Sequence, residues 1–157
     1  MSERSAEPSG LPRVVVDTNL LLLGMFSLGL YLPIIRAWIN DEFELVISNL
    51  LLDELAEVSA RPKFRKRITK TDAEKLLELI WRKANVIAVG ENPVLGRDPD
   101  DYPVLGAAIA ANATHIVTND KDLLEDATVK SEKKRLGVEI VSAGELLRFL
   151  KARRHPS

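Results

Sequence analysis

The run Val14-Val15-Val16, followed at once by Asp17-Thr18-Asn19, limits what this chain can become. Three consecutive β-branched residues read as a strand buried on both faces. An acid then arrives where that core strand ends. In an open α/β sheet the carboxyl ends of the strands are where ligands bind.

Four more apolar runs follow at intervals that leave room for helices. Strands are expected at Glu44-Leu45-Val46-Ile47-Ser48, Val86-Ile87-Ala88-Val89, His115-Ile116-Val117-Thr118 and Val138-Glu139-Ile140-Val141. Between them the pattern predicts helices over 20–26, 32–40, 50–59 and 71–84, then from Asp100 or Asp101 to about Asn112, and from Ser142 or Ala143 to about Arg153. A break falls around Gly29 and a loop over 90–100. Ser48 or Asn49 can cap the third helix. Thr71 and Glu74 make a capping-box pair for the fourth. Pro103 sits in a first turn, where its missing N–H does no harm. Strands alternating with helices imply a three-layer α/β/α sandwich around a central parallel sheet of about five strands. Trp38 and Trp81 lie on apolar helical faces and read as core, and His115 reads as structural.

A chain of 157 residues suffices for one domain. The expected organisation is a disordered lead-in over 1–12, a single domain over 13–152 and a disordered tail over 153–157. Met1 to Pro12 lacks the charged-then-apolar order of a signal peptide. The absence of cysteine excludes disulfides, zinc–thiolate sites and thiol nucleophiles, and fits a reducing cytoplasm. Two histidines are too few for a histidine-built metal centre. Leu20 to Ile35 is free of charge but shorter than the ~20 residues of a membrane span. Gly24, Gly29 and Pro33 interrupt it, so it reads as core helices rather than a membrane segment. The net charge of -1 leaves any nucleic-acid partner to local clustering of cations.

Most of the 23 acidic residues should be solvated, so the informative ones are those that break a pattern. At about 100° per residue, Leu50, Leu51, Leu55 and Val58 span an arc of roughly 140°, and Glu54 falls inside it. Asp53 falls outside and Glu57 at the edge. Val104, Leu105, Ala108 and Ile109 form the apolar face of a later helix. Asp101 lies near its centre, three and four residues before the first two. Asp100 is the better helix cap if Asp101 faces inward. Asp17 and Asp120 each follow a buried strand with Thr and Asn beside them, in Asp17-Thr18-Asn19 and Thr118-Asn119-Asp120. Each alone could be an Asx turn or cap. In a parallel sheet all four reach the same edge.

Crowded carboxylates repel and cannot all stay ionised unaided. A hard divalent cation such as Mg²⁺ or Mn²⁺ resolves this with oxygen ligands. It can generate hydroxide near neutral pH and stabilise charge on a phosphoryl oxygen. No serine, cysteine or histidine nucleophile is then required.

Arg13 to Asn19, Ser48 to Leu55 with Glu54, Arg61-Pro62-Lys63-Phe64, Arg97 to Asp101 and Ile116 to Leu124 together resemble the PIN-domain ribonucleases, and among them the VapC-type toxins of toxin–antitoxin modules. The resemblance covers about Arg13 to Leu150. It implies four site acids at Asp17, Glu54, Asp101 and Asp120, with Asp98 an alternative for the third. Asn19, Ser48 and Thr118 match the family's supporting polar positions. It further implies a Mg²⁺- or Mn²⁺-dependent endoribonuclease, frequent homodimers, and a small antitoxin protein that covers the active site. The family often has glycine where this chain has Asn119.

An RNA substrate approaching a negative site calls for flanking cations. Arg61 to Lys70 carries six basic residues and no acid. Arg61, Lys63, Arg65, Lys66 and Arg67 are the candidate RNA-binding residues, against the plain reading of a solvated basic loop. Phe64 is expected to anchor this segment in the core, with base stacking the alternative. The basic C-terminus reads as a helix end favourable to the helix dipole. A catalytically silent PIN-like module that binds RNA or a protein is the competing function. A phosphotransfer domain would need an acid adjacent to Asp17 or two residues after it, and Asp17-Thr18-Asn19 supplies neither.

Overall fold

The computed structural model describes residues 10–26, 32–88, 102–119, 124–125 and 137–154. Its strands are β1 (Arg13–Val16), β2 (Glu44–Ser48), β3 (Asn85–Ile87), β4 (His115–Val117) and β5 (Glu139–Val141). Its helices are α1 (Thr18–Phe26), α2 (Leu32–Ile39), α3 (Asn49–Ser59), α4 (Pro62–Arg65), α5 (Lys70–Lys83), α6 (Tyr102–Ala111) and α7 (Ala143–Arg154). Every strand pair is parallel, in the order β3-β2-β1-β4-β5. This is the five-stranded sheet with flanking helices that the alternating pattern calls for.

The β-branched runs form strands because both of their faces are covered. Val14, Val15, Val16, Leu45, Val46, Ile47, Ile116 and Val117 are all buried. Val15 pairs with Val46 on one side and Ile116 on the other, so β1 is the centre of the sheet. Steps from β1 to β2 and from β2 to β3 run in one direction. The step from β3 to β4 returns across β1. Right-handed crossovers therefore put α6 on the opposite face from α1 and α2. In agreement, α6 packs along β1, β2, β3 and β4, and α7 packs against α2. Helix α3 touches both α1 and α6 as well as β2. A helix that touches both outer layers lies across the carboxyl edge of the sheet.

Helix ends follow local chemistry. The Ser48 hydroxyl accepts from the Leu51 N–H at 3.1 Å and caps α3. Ser142 and Glu145 close a reciprocal capping box on α7. Asp41 and Asn112 take positive φ of 61° and 54° just past α2 and α6. There Glu42 N–H reaches the Ala37 carbonyl and Ala113 N–H the Ala108 carbonyl, the six-to-one bond of a Schellman ending.

Several expectations change. Helix α5 is capped by Thr69, whose hydroxyl accepts from the Asp72 N–H, and not by Thr71. Ile68 before the cap and Ala73 four residues into the helix are both buried, the two positions of a hydrophobic staple. That apolar pair selects the earlier threonine. Trp81 is 66% exposed, whereas Trp38 is core as expected. The buried face of α5 is Ala73, Leu76 and Ile80, and Trp81 follows Ile80 by one residue, about 100° around the helix. Ile109 is exposed because the buried face of α6 is rotated onto Ala107, Ala108 and Ala111. Strand β3 starts at Asn85 and ends at Ile87, earlier than the 86–89 run implied. Helix α7 ends at Arg154, one residue past the expected end near Arg153 and inside the stretch assigned to the tail. Pro12, placed in the lead-in, is buried and its carbonyl accepts from the Glu44 N–H. The break around Gly29 and the loop over 90–100 lie outside the described residues. No helix among the described residues is long and apolar enough to cross a membrane.

Candidate active site at the carboxyl edge

Asp17 is the first residue beyond β1, and Thr118 the first beyond β4. Val16 pairs with Val117, so the two strand ends emerge side by side. The Asp17 N–H donates to the Val117 carbonyl at 3.0 Å, and the Thr118 hydroxyl donates to Asp17 Oδ2 at 3.1 Å. On the other carboxylate oxygen, the Asn19 N–H donates to Oδ1 at 3.3 Å. The Asp17 carbonyl accepts from Leu20 and Leu21 N–H groups and so starts α1. Asp17 is thus a helix cap, as the conservative reading of the sequence allowed. Its carboxylate is also half-buried and held from two sides, which a surface cap does not require.

This is the topological switch point of the sheet. Connections leave β1 toward β2, and the chain later returns to β1's other side as β4. Ligand crevices in open α/β sheets form at the carboxyl ends of such strands. Thr118 is fully buried, and its own N–H donates to the Val141 carbonyl at 3.1 Å. The end of β5 therefore steadies Thr118, which in turn steadies Asp17. Sequence reasoning missed Val141, because a backbone carbonyl carries no residue signature and strand order is not written in the chain.

The other sequence-derived positions divide cleanly. Ser48 is buried at the carboxyl end of β2 and works as the α3 cap. Asn19 is exposed, and its backbone rather than its side chain makes the contact to Asp17. Glu54 lies between the buried Leu51, Leu55 and Val58 of α3, as the helical projection required, yet it is exposed. The position of α3 accounts for this. Its apolar stripe runs past the sheet at the carboxyl edge, so a residue on the stripe need not be covered by the sheet. Asp98, Asp101 and Asp120 lie outside the described residues. Among the described residues no group of three or more Asp, Glu or His could hold a metal ion. The two acids that are described carry oxygen donors of the kind hard divalent cations take.

The basic segment forms Arg61, α4 and the turn after it. Arg61 pairs with Glu57 one turn back, at 3.1 Å, in the open. Lys63 Nζ stands 5.1 Å from the centroid of the Phe64 ring, and Phe64 packs against the core as expected. Lys66 and Arg67 are exposed. Arg65 is half-buried, and its Nη1 has no hydrogen-bond partner among the described residues. The five cations are therefore not equivalent.

Comparison with solved structures finds a match to the VapBC2 complex of Rickettsia felis bound to a DNA fragment from its promoter. The TM-score is 0.51 at 17% identity, covering 83% of this chain and 98% of that one. At that identity the likeness speaks for the fold alone. No match is found among curated proteins. The family model of the PIN domain matches residues 13–122, from the first residue of β1 to just past Asp120. With more than two thirds of its length matched by that model, and with the parallel sheet and switch-point acid in place, this chain belongs to the PIN-domain family.

Proposed function

We propose that this protein is a metal-dependent endoribonuclease that hydrolyses RNA phosphodiester bonds, and that it is the toxin of a toxin–antitoxin pair. The observation that carries the reading is Asp17, a carboxylate held from both sides at the switch point of a PIN-domain sheet. Glu54, Asp101 and Asp120 complete the proposed acid set, with Asp98 the alternative to Asp101. Mg²⁺ or Mn²⁺ would supply charge neutralisation at the scissile phosphate and a water acidic enough to give hydroxide near neutral pH.

The chain's own part is positional. A carboxylate has about four lone-pair sites. Asp17 commits one on each oxygen to an internal donor, which fixes its plane and leaves the others for a cation. Thr118 and the Asn19 N–H do the fixing, and Ser48 sets the start of the helix that carries Glu54. Lys63, Lys66 and Arg67 are exposed, Arg61 is exposed and paired with Glu57, and Arg65 is half-buried; all five are the proposed contacts to the RNA phosphates. A small antitoxin protein as partner is supported by the fold shared with VapBC2. Homodimerisation and a cytoplasmic location belong to the same proposal; the cysteine-free composition supports the second.

The test is cleavage of a mixed RNA pool with and without Mg²⁺ or Mn²⁺. Asp17→Asn keeps an oxygen for the Asn19 N–H and a partner for the Thr118 hydroxyl, so the fold should survive while cleavage falls at least a hundredfold. Cleavage that persists in this variant, or that needs no metal, would defeat the reading. Intact RNA together with no Mn²⁺ binding by calorimetry would favour a silent binding module.

A further inference from the structure

The opposite edge of the sheet holds a second polar constellation, remote from the carboxyl edge. Arg13, Glu44, His115 and Glu139 are the first residues of β1, β2, β4 and β5. Just before β4, the Thr114 hydroxyl has three polar neighbours. The Arg13 N–H donates to it at 3.1 Å, the Arg13 carbonyl lies at 3.0 Å, and His115 Nδ1 at 2.8 Å. A hydroxyl has one proton and two lone pairs. One lone pair serves the Arg13 N–H. The Arg13 carbonyl also accepts from the Thr114 N–H at 2.8 Å. Were Nδ1 a bare acceptor, the single hydroxyl proton could fill only one of the two short contacts, to Nδ1 or to that carbonyl, and lone pairs would face each other across the other. With a proton on Nδ1 every group is satisfied: the hydroxyl accepts from Arg13 N–H and Nδ1–H, and donates to the Arg13 carbonyl.

The ring so oriented packs on α7. Its centroid lies 4.6 Å from that of Phe149, at 46° between planes. Arg153, one turn further along α7, stands 5.8 Å from the Phe149 centroid and donates through Nη2 to the Gly10 carbonyl at 2.9 Å. His115 therefore sits where the segment before β1, the starts of β4 and β5, and α7 meet.

We propose that the Thr114 hydroxyl holds His115 as its Nδ1–H tautomer, and that this ring is a proton-sensitive fastener joining α7 to the amino edge of the sheet. Only Nε2 remains to take a proton. The charged groups that face the ring are Glu139 from β5 and Arg153 from α7; the Arg13 guanidinium is engaged by Glu44 and the Ala111 carbonyl. Burial holds His115 below the ordinary imidazole range, Glu139 pulls it upward, and Arg153 adds a smaller downward push. The direction of the pH effect follows. Between the lowered value and the ordinary one of about 6.5, an opened form takes up a proton that the fastened form refuses. Acid therefore favours detachment of α7, and the fastening is complete above about pH 6.5. From pH 7.5 to 5.5 the opening equilibrium should grow by up to about tenfold.

The experiment uses the full chain, labelled with ¹⁵N. At pH 7.5 long-range proton–nitrogen spectra of the histidine rings, with His155→Gln to assign the second ring, should show His115 protonated on Nδ1 and bare at Nε2. Hydrogen-exchange protection of the Leu146 to Arg153 amides, corrected for intrinsic rates, should fall by up to about tenfold on going to pH 5.5. His115→Phe keeps a ring against Phe149 but cannot titrate, and should flatten that dependence. An Nε2–H tautomer at pH 7.5, protection of α7 that ignores pH, or the same pH dependence in His115→Phe would each overturn the proposal. The ring spectrum is read on the native chain, so it decides the tautomer even if the phenylalanine variant fails to fold.

Discussion

Replacing Thr118 separates support of Asp17 from simple packing. Thr118 is fully buried, and its hydroxyl donates to Asp17 Oδ2 at 3.1 Å. Thr118→Val keeps the shape and removes only the hydroxyl. A hydrogen bond to a charged acceptor contributes about 1.5–3 kcal/mol. Asp17 is only half-buried, so water recovers part of this and a loss of about 1–2 kcal/mol remains. Thr118→Ser keeps the hydroxyl and deletes one buried methyl group, a loss of roughly 1 kcal/mol. At this chain length 1 kcal/mol shifts the melting temperature by about 2–4 °C. Valine should therefore lower Tm by about 2–8 °C and serine by about 2–4 °C, ranges too close to distinguish the variants by stability. Function should distinguish them. Losing a group that orients a metal ligand costs roughly tenfold to a hundredfold in affinity or activity. Valine should show that loss in RNA cleavage and in Mn²⁺ affinity by calorimetry, and serine should stay near wild type. Equal losses in both variants, or full cleavage and unchanged Mn²⁺ affinity in valine, would refute the positioning role.

Ser48→Ala removes the α3 cap and leaves the Leu51 N–H without its acceptor; a loss of about 1 kcal/mol is expected, read as a lower urea midpoint at unchanged slope. The two tryptophans should differ sharply. Trp38→Ala should cost about 3–5 kcal/mol, and Trp81→Ala under about 0.5 kcal/mol. In Trp38→Phe the remaining indole should be quenched freely by iodide, and in Trp81→Phe it should be protected. Glu145→Ala opens the capping box of α7 and should cost about 0.5–1 kcal/mol by thermal melting, with Glu145→Gln retaining most of the stability.

What the sequence made legible has a physical pattern. Leu45, Val46 and Ile47 are unbroken apolar runs because parallel strands are covered on both faces, so the strands and their direction could be read residue by residue. Asp17 was legible for the same reason: a carboxylate directly after such a run must emerge at the carboxyl edge. Helical faces were less faithful. Projection around a helix yields an angle but not what stands opposite it. Glu54 has the angle of a core residue and is exposed, because α3 lies across the end of the sheet. Trp81 directly follows the buried Ile80 and is exposed, because the buried face of α5 lies a quarter-turn away. The choice between Thr69 and Thr71 as cap turned on Ile68, an apolar residue one position outside the helix that a capping-box pattern does not weigh. Strand order was not legible at all, and it is the order β2-β1-β4 that sets Thr118 beside Asp17 and joins two strand-end residues by a hydrogen bond. An acid ending a central strand is thus a local fact of sequence. Its neighbour across the switch point is a fact of topology, and the hydroxyl of Thr118 is the link between the two.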